Sequence, residues 1–244
     1  MRNVVVTGGS RGLGLGIARR LAAAGYRAIA VARKETNQLT LAMEEAERAR
    51  AGSFRFVPFD LAEIGGLPQL VKTLRSELGA IYGLVNNAAV GTNGALALMP
   101  TSQIEQLVRL NTLSPIVLTK YVVRAMMADG GGRIVNVASI IGFTGYAGLS
   151  VYGATKASMV GFTRSLAREV GKMGVNVNAI APGFVDTEMT HGLGDVHRQQ
   201  IVHRSALRRL PEVDDVARAV EFLLGDGGTS ITGTVLTVDA GNTA

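Results

Sequence analysis

The sequence predicts an α/β fold, a three-layer α/β/α sandwich around a doubly wound, parallel, seven-stranded sheet. Three observations predict it. Short apolar runs rich in β-branched residues recur along the chain. Longer stretches with helical patterning separate them. A glycine-rich turn, Thr7-Gly8-Gly9-Ser10-Arg11-Gly12-Leu13-Gly14, directly follows the first run.

In chain order the strands are expected at Val4–Thr7, Ala28–Ala32, Phe54–Pro58, Gly83–Val85, Arg133–Val137, Asn176–Ala179 and Val235–Val238. They are continuous apolar runs, which suits strands covered on both faces. Helices are expected at Gly14–Ala24, Gln103–Ala128 and Val151–Lys172, among others. Ser102 with Glu105 three residues on has the form of a capping box opening the second of these. Strand–helix–strand alternation calls for parallel strands with helices on both sides. No repeat, low-complexity tract or Pro/Ser-rich linker divides the chain, so one domain is expected over residues 1–244. The segment Gly183–Arg209 follows a strand, has little periodicity and is placed to cover a site as a lid, or else to be a solvated surface helix pair.

Composition removes several classes. Hydrophobic residues make up 47% and charged residues 18%, which excludes a disordered chain. The chain has no cysteine, hence no disulfide framework, thiolate metal site or cysteine nucleophile. No secretory leader and no apolar run of membrane-spanning length is visible, so a cytoplasmic protein without a membrane partner is expected. The net charge of +6 is scattered rather than clustered, and with no Trp and five Tyr there is little to stack on bases. A nucleic-acid partner is therefore not expected, whereas a phosphate-bearing cofactor or an acidic carrier suits the surplus.

Three sets of residues carry chemistry. The glycine turn joins a strand to a helix, the arrangement that holds a dinucleotide pyrophosphate on unpaired helix N–H groups. Its spacing is Gly-x-x-x-Gly-x-Gly, and a plain tight turn is the alternative. At the end of the second strand, Ala30-Val31-Ala32-Arg33-Lys34 has no carboxylate for a ribose 2′-hydroxyl. Arg33, with Arg11 from the first turn, suits a 2′-phosphate, which favours NADP(H) over NAD(H). Tyr152 and Lys156 are four apart on an expected helix, so they share a face. An ammonium beside a phenol favours the phenolate, and Lys156 is expected to lower the Tyr152 pKa. Ser139, thirteen residues before Tyr152, ends a strand where its hydroxyl can hold a carbonyl oxygen.

Together these residues resemble the classical short-chain dehydrogenase/reductase family over nearly the whole chain, and the resemblance implies a Rossmann-type fold. Asn111, Ser139, Tyr152 and Lys156 match its catalytic tetrad in order and spacing. Asn86-Asn87-Ala88-Ala89 matches its Asn-Asn-Ala-Gly segment with one change, and Asp60-Leu61 matches its adenine-contacting pair. Ile231-Thr232-Gly233 and Val238-Asp239-Ala240-Gly241 match its C-terminal strand, again with Ala for Gly. The implied cofactor-binding residues are Gly8, Ser10, Arg11, Gly12, Leu13, Gly14, Arg33, Asp60, Leu61, Asn87, Ala88, Tyr152, Lys156 and, closing on the nicotinamide, Pro182, Gly183, Val185 and Thr187. The implied mechanism needs no metal. Hydride goes to a carbonyl carbon, Tyr152 protonates the oxygen, Ser139 holds it, Lys156 binds the nicotinamide ribose, and Asn111 holds a relay water. His191, His197 and His203 fall in the lid and read as its surface.

Within that family the sequence looks most like the 3-oxoacyl-carrier-protein reductases, through Arg124-Ala-Met-Met127, Gly132–Asn136, Ser165–Val170, Ala181–Phe184, Glu188-Met189-Thr190 and Arg208-Arg209-Leu210. Two carrier-docking charges of that group are missing, since Ala128-Asp129-Gly130-Gly131 and Met173 stand in their places. Acetoacetyl-CoA, a sugar or another small ketone is the alternative substrate, and an NADP(H)-binding sensor is the non-enzymatic alternative. The resemblance implies a homotetramer through the helices Gln103–Ala128 and Val151–Lys172 and the C-terminal Ile231–Ala244.

Overall fold

The computed structural model describes residues 1–185 and 194–244. The strands are β1 (Asn3–Thr7), β2 (Arg27–Ala32), β3 (Ser53–Pro58), β4 (Ile81–Asn86), β5 (Gly132–Val137), β6 (Val175–Pro182) and β7 (Val235–Val238). They form one seven-stranded sheet in the order β3-β2-β1-β4-β5-β6-β7. Every neighbouring pair is parallel. All seven expected strands are present, most of them longer by one to four residues.

The helices are α1 (Gly12–Ala23), α2 (Asn37–Ala49), α3 (Leu67–Leu78), α4 (Thr101–Val108), α5 (Ser114–Ala128), α6 (Ser150–Val170), α7 (Asp195–Arg204) and α8 (Val213–Leu224). They divide between the two faces as strand periodicity requires. Val4 and Val6 pack with Ile17 and Leu21 of α1, Leu39 of α2 and Val220 of α8. Val5, pointing the other way, packs with Leu74 of α3, Leu118 of α5 and Leu166 of α6. No helix among the described residues is long and apolar enough to cross a membrane.

Three expectations need correction. The edge strands are not covered on both faces: only Phe54 of β3 is buried, and no residue of β7 is. An edge strand has one neighbour and less helix above it. The capping box at Ser102 and Glu105 does not form. The helix starts two residues earlier, with Pro100 at the N-cap and its carbonyl accepting from Gln103 N (3.0 Å) and Ile104 N (3.3 Å). Finally, the single helix expected over Gln103–Ala128 is interrupted by a π-helical turn, Arg109–Leu113. Its cause is Pro115, which has no N–H to give to the carbonyl four residues back and whose ring crowds that carbonyl. The carbonyl belongs to Asn111.

The chain turns back at the middle of the sheet. It builds β1, β2 and β3 outward on one side, then crosses to lay β4 on the other side of β1. The crevice at the carboxyl ends of β1 and β4 is the switch point where this architecture binds ligands. Of the lid segment, α7 and the chain after it are described; Thr187, His191 and the Glu188-Met189-Thr190 stretch lie outside the described residues. Both described ends of the segment rest on the C-terminal turn. Gly183 N donates to Val238 O (3.0 Å), and Leu207 N to Ala240 O (3.1 Å). Ala240, where the family pattern has glycine, keeps a left-handed backbone with φ of 57°.

Candidate active site

The crevice is clamped from within the sheet. Thr7 Oγ1, at the end of β1, accepts from Asn87 N (2.9 Å) and Ala88 N (3.0 Å) and donates to Val85 O (3.2 Å). Asn87 Nδ2 returns a bond to Thr7 O at 2.9 Å. The turn after β1 and the turn after β4 are thereby one unit. A Cβ on Gly14 would lie 2.3 Å from Gly8 O and 2.4 Å from Asn87 Nδ2, so only glycine lets α1 start this close. Gly12, with φ of 53°, has no atom within 4 Å of where its Cβ would be. Open space in front of a helix N-terminus is the cradle a pyrophosphate fills.

The glycine turn is tied to the segment that follows β2. Gly8 N donates to Val31 O (2.8 Å), and Thr36 Oγ1 donates to Ser10 O (2.6 Å). These bonds join the glycine turn to the segment after β2; Arg11 in the turn and Arg33 just after β2 are both exposed. The nearest carboxylate in sequence, Glu35, accepts from Thr40 Oγ1 at 3.0 Å. After β3, Ala62 N donates to Asp60 Oδ1 (3.0 Å) and Ser114 Oγ donates to Leu61 O (2.7 Å). The observed donors, cradle and cations fit a phosphorylated dinucleotide.

On the other side of the switch point, β5 ends at Val137 and Ser139 follows in extended backbone, its Oγ accepting from Ile141 N at 3.2 Å. Tyr152 and Lys156 lie in the first turns of α6, with Lys156 Nζ 5.7 Å from the Tyr152 ring centre. Lys156 is only 4% exposed and donates to Val137 O at 2.8 Å. Asn111, in the π turn, is buried and fully committed. Its Nδ2 donates to Val90 O (2.8 Å) and Thr155 Oγ1 (3.2 Å), and its Oδ1 accepts from Val90 N (2.9 Å). Every described site residue expected from the sequence lies at the carboxyl edge of the sheet or on these two helical turns. Pro182 ends β6, Gly183 and the buried Val185 follow, and Phe184 packs on Tyr146 at 5.7 Å between ring centres. Sequence reasoning did not single out Thr7 as the clamp, or Thr155; their signals were a hydroxyl at a strand end and a hydroxyl inside a helix.

Electrostatics correct one expectation. Lys156 was expected to pull the Tyr152 phenol toward neutrality. Burial instead pushes Tyr152 up to about 12, with a hydrogen bond from Ser139 opposing it. Burial also lowers Lys156 to about 8. Both shifts run toward the neutral form because each group is taken out of water, although Lys156 at about 8 still carries its proton at pH 7. This has a consequence for stability. Between about 8 and 10.5 the unfolded state binds more protons at Lys156 than the folded state, so stability rises with pH. The wild type should gain about 2 kcal/mol relative to Lys156→Met between pH 7.5 and 9.5, read from denaturant midpoints. Tyr152 acts with the opposite sign only above pH 10, where its folded state holds the extra proton.

Residues 2–197 match the short chain dehydrogenase family. The chain is 35% identical over 237 residues to the 3-oxoacyl-[acyl-carrier-protein] reductase FabG of Escherichia coli (strain K12), covering 97% of this chain and 95% of that one. It superposes with TM-score 0.93 and 29% identity on a gluconate 5-dehydrogenase from Burkholderia cenocepacia J2315 in complex with NADP and tartrate, covering 99% and 95% of the two chains. A blue fluorescent protein from a metagenomic library, in complex with NADPH, matches with TM-score 0.91 and 34% identity over 100% and 98%. With its parallel sheet, its clamped glycine turn and its Ser139, Tyr152 and Lys156 at one crevice, this chain belongs to the short-chain dehydrogenase/reductase family of oxidoreductases.

Proposed function

We propose that the protein is an NADPH-dependent reductase that converts a 3-oxoacyl thioester to its alcohol. The observation that carries the chemistry is the placement of Ser139, Tyr152 and Lys156 beside the glycine cradle. Gly8, Ser10, Gly12, Leu13 and Gly14 would hold the pyrophosphate, Arg11 and Arg33 the 2′-phosphate, and Asp60 and Leu61 the adenine. Asn87, Ala88, Lys156, Pro182, Gly183, Val185 and Thr187 would border the nicotinamide half. The bound reduced nicotinamide supplies a hydride for the carbonyl carbon.

The rest is done by this chain. A phenol pushed up to about 12 is protonated at neutral pH, which is the state a general acid needs for reduction. Tyr152 gives that proton to the carbonyl oxygen while the Ser139 hydroxyl holds the oxygen. Lys156, near 8, is largely an ammonium at pH 7 and steadies the phenolate formed. An ammonium has three protons, and Val137 takes one. The Asn111 side chain is spent on Val90 and Thr155, so a relay water would rest on the Asn111 carbonyl, which has no Pro115 N–H to accept.

The 3-oxoacyl substrate rests on similarity to carrier-protein reductases across almost the full chain. A second reading, reduction or oxidation of a sugar acid or other small ketone or alcohol, is favoured by the loss of docking charge at Ala128–Gly131 and Met173 and by the gluconate 5-dehydrogenase likeness. We take the whole chain as one catalytic domain and its assembly as a homotetramer. The cofactor choice is tested by Arg33→Ala. NADPH Kd should rise about tenfold or more, the value of a lost charge-assisted contact, while NADH Kd stays unchanged. Equal weakening of both would remove the 2′-phosphate role.

A further inference from the structure

Thr155 stands between the reacting tyrosine and Asn111. It is 3% exposed and inside α6, where threonine is a poor helix former. Its hydroxyl accepts from Asn111 Nδ2 at 3.2 Å and donates to Tyr152 O at 2.8 Å. Asn111 in turn holds both backbone groups of Val90. A second rung lies one turn along, where Thr112 Oγ1 and Ser158 Oγ are 3.0 Å apart and Ser158 Oγ donates to Thr155 O at 2.7 Å. Deeper on the same helix, Thr163 accepts from Asn136 Nδ2 at 2.8 Å, but this bond ties α6 to β5 and touches nothing at the crevice.

Apolar packing alone is non-directional and lets a helix slide by fractions of an ångström. A buried hydroxyl with both its donor and its acceptor engaged does not. We propose that Thr155 is a positioning residue, which locks the Val90 loop, the π turn and the Tyr152–Lys156 turn into one body and so keeps the phenol in register with Ser139. This rests on the reductase reading for its effect on turnover, but the locking itself does not.

The test uses Thr155→Val, which keeps the shape and removes the hydroxyl, and Thr155→Ser, which keeps the hydroxyl. Thr163→Val serves as a control for plain loss of a buried hydrogen bond in α6. Two quantities are read: steady-state kinetics, and hydrogen exchange of the Val90 amide in the protein alone. In Thr155→Val, kcat should fall about tenfold with KM of the carbonyl substrate within threefold, and Val90 exchange should quicken about tenfold, the value of one lost net hydrogen bond. Thr155→Ser should restore both to within threefold. Thr163→Val should leave Val90 exchange unchanged. Should Thr155→Val fold poorly, Thr155→Ala, a better helix former, carries the same expectations. The proposal is overturned if Val90 exchange is unchanged when the hydroxyl is removed, or if Thr155→Ser behaves like Thr155→Val. If the wild type reduces no carbonyl compound while Val90 exchange responds as stated, the reaction assignment fails and the positioning role stands.

Discussion

Tyr152→Phe is expected to lower turnover about a hundredfold to ten-thousandfold while leaving NADPH affinity within threefold. The variant removes one oxygen from a ring that is otherwise packed as before. General acid catalysis by a placed group contributes that range of rate. Lys156 is a poor substitute because Val137 fixes its ammonium. The split between kcat and Kd decides the matter, with turnover followed by NADPH absorbance and binding by NADPH fluorescence. A comparable loss of binding would make Tyr152 a structural contact.

Gly14→Val should cost about 3 kcal/mol of stability or more and weaken NADPH binding at least about a hundredfold. Its first added carbon meets Gly8 O at 2.3 Å and Asn87 Nδ2 at 2.4 Å. The first is backbone, and the second is held by Thr7 O, so neither yields cheaply. Relief requires parting the turn after β1 from the turn after β4, which opens the crevice at the switch point. Gly12→Ala is the contrasting change. In the fold it meets open space and costs only a left-handed backbone, about 1 kcal/mol of stability, while its methyl intrudes on the cradle proposed for the pyrophosphate. Thermal midpoints of both variants separate close approach from conformational strain.

Much of this was legible in the sequence because the signals were local. Val4–Thr7 and Arg133–Val137 are short, mostly β-branched runs, and each sits where a buried parallel strand was expected. Tyr152 and Lys156 needed only helical spacing, and Ser139 only the end of a strand. What was not legible depends on contacts far apart in the chain. The Thr7–Asn87 clamp spans 80 residues and exists only because β4 lies beside β1. The π turn could have been read from Pro115, four residues after Asn111, since a proline there evicts the Asn111 carbonyl from the helical pattern. The Ser102 cap failed because Pro100, already fit to precede a helix, opened it earlier. The Tyr152 phenol was misjudged because spacing shows the neighbouring charge but not the depth of burial around it.

Reduction of a ketone by NADPH at this crevice is proposed to run through Tyr152. The most direct measurement follows NADPH loss with acetoacetyl-CoA and acetoacetyl-carrier protein, beside NADH and beside Tyr152→Phe. Rapid, NADPH-preferring turnover of a 3-oxoacyl thioester is expected, and its loss in the phenylalanine variant. Tight NADPH binding with no turnover of either thioester would contradict the substrate assignment, and turnover that survives in Tyr152→Phe would contradict the mechanism.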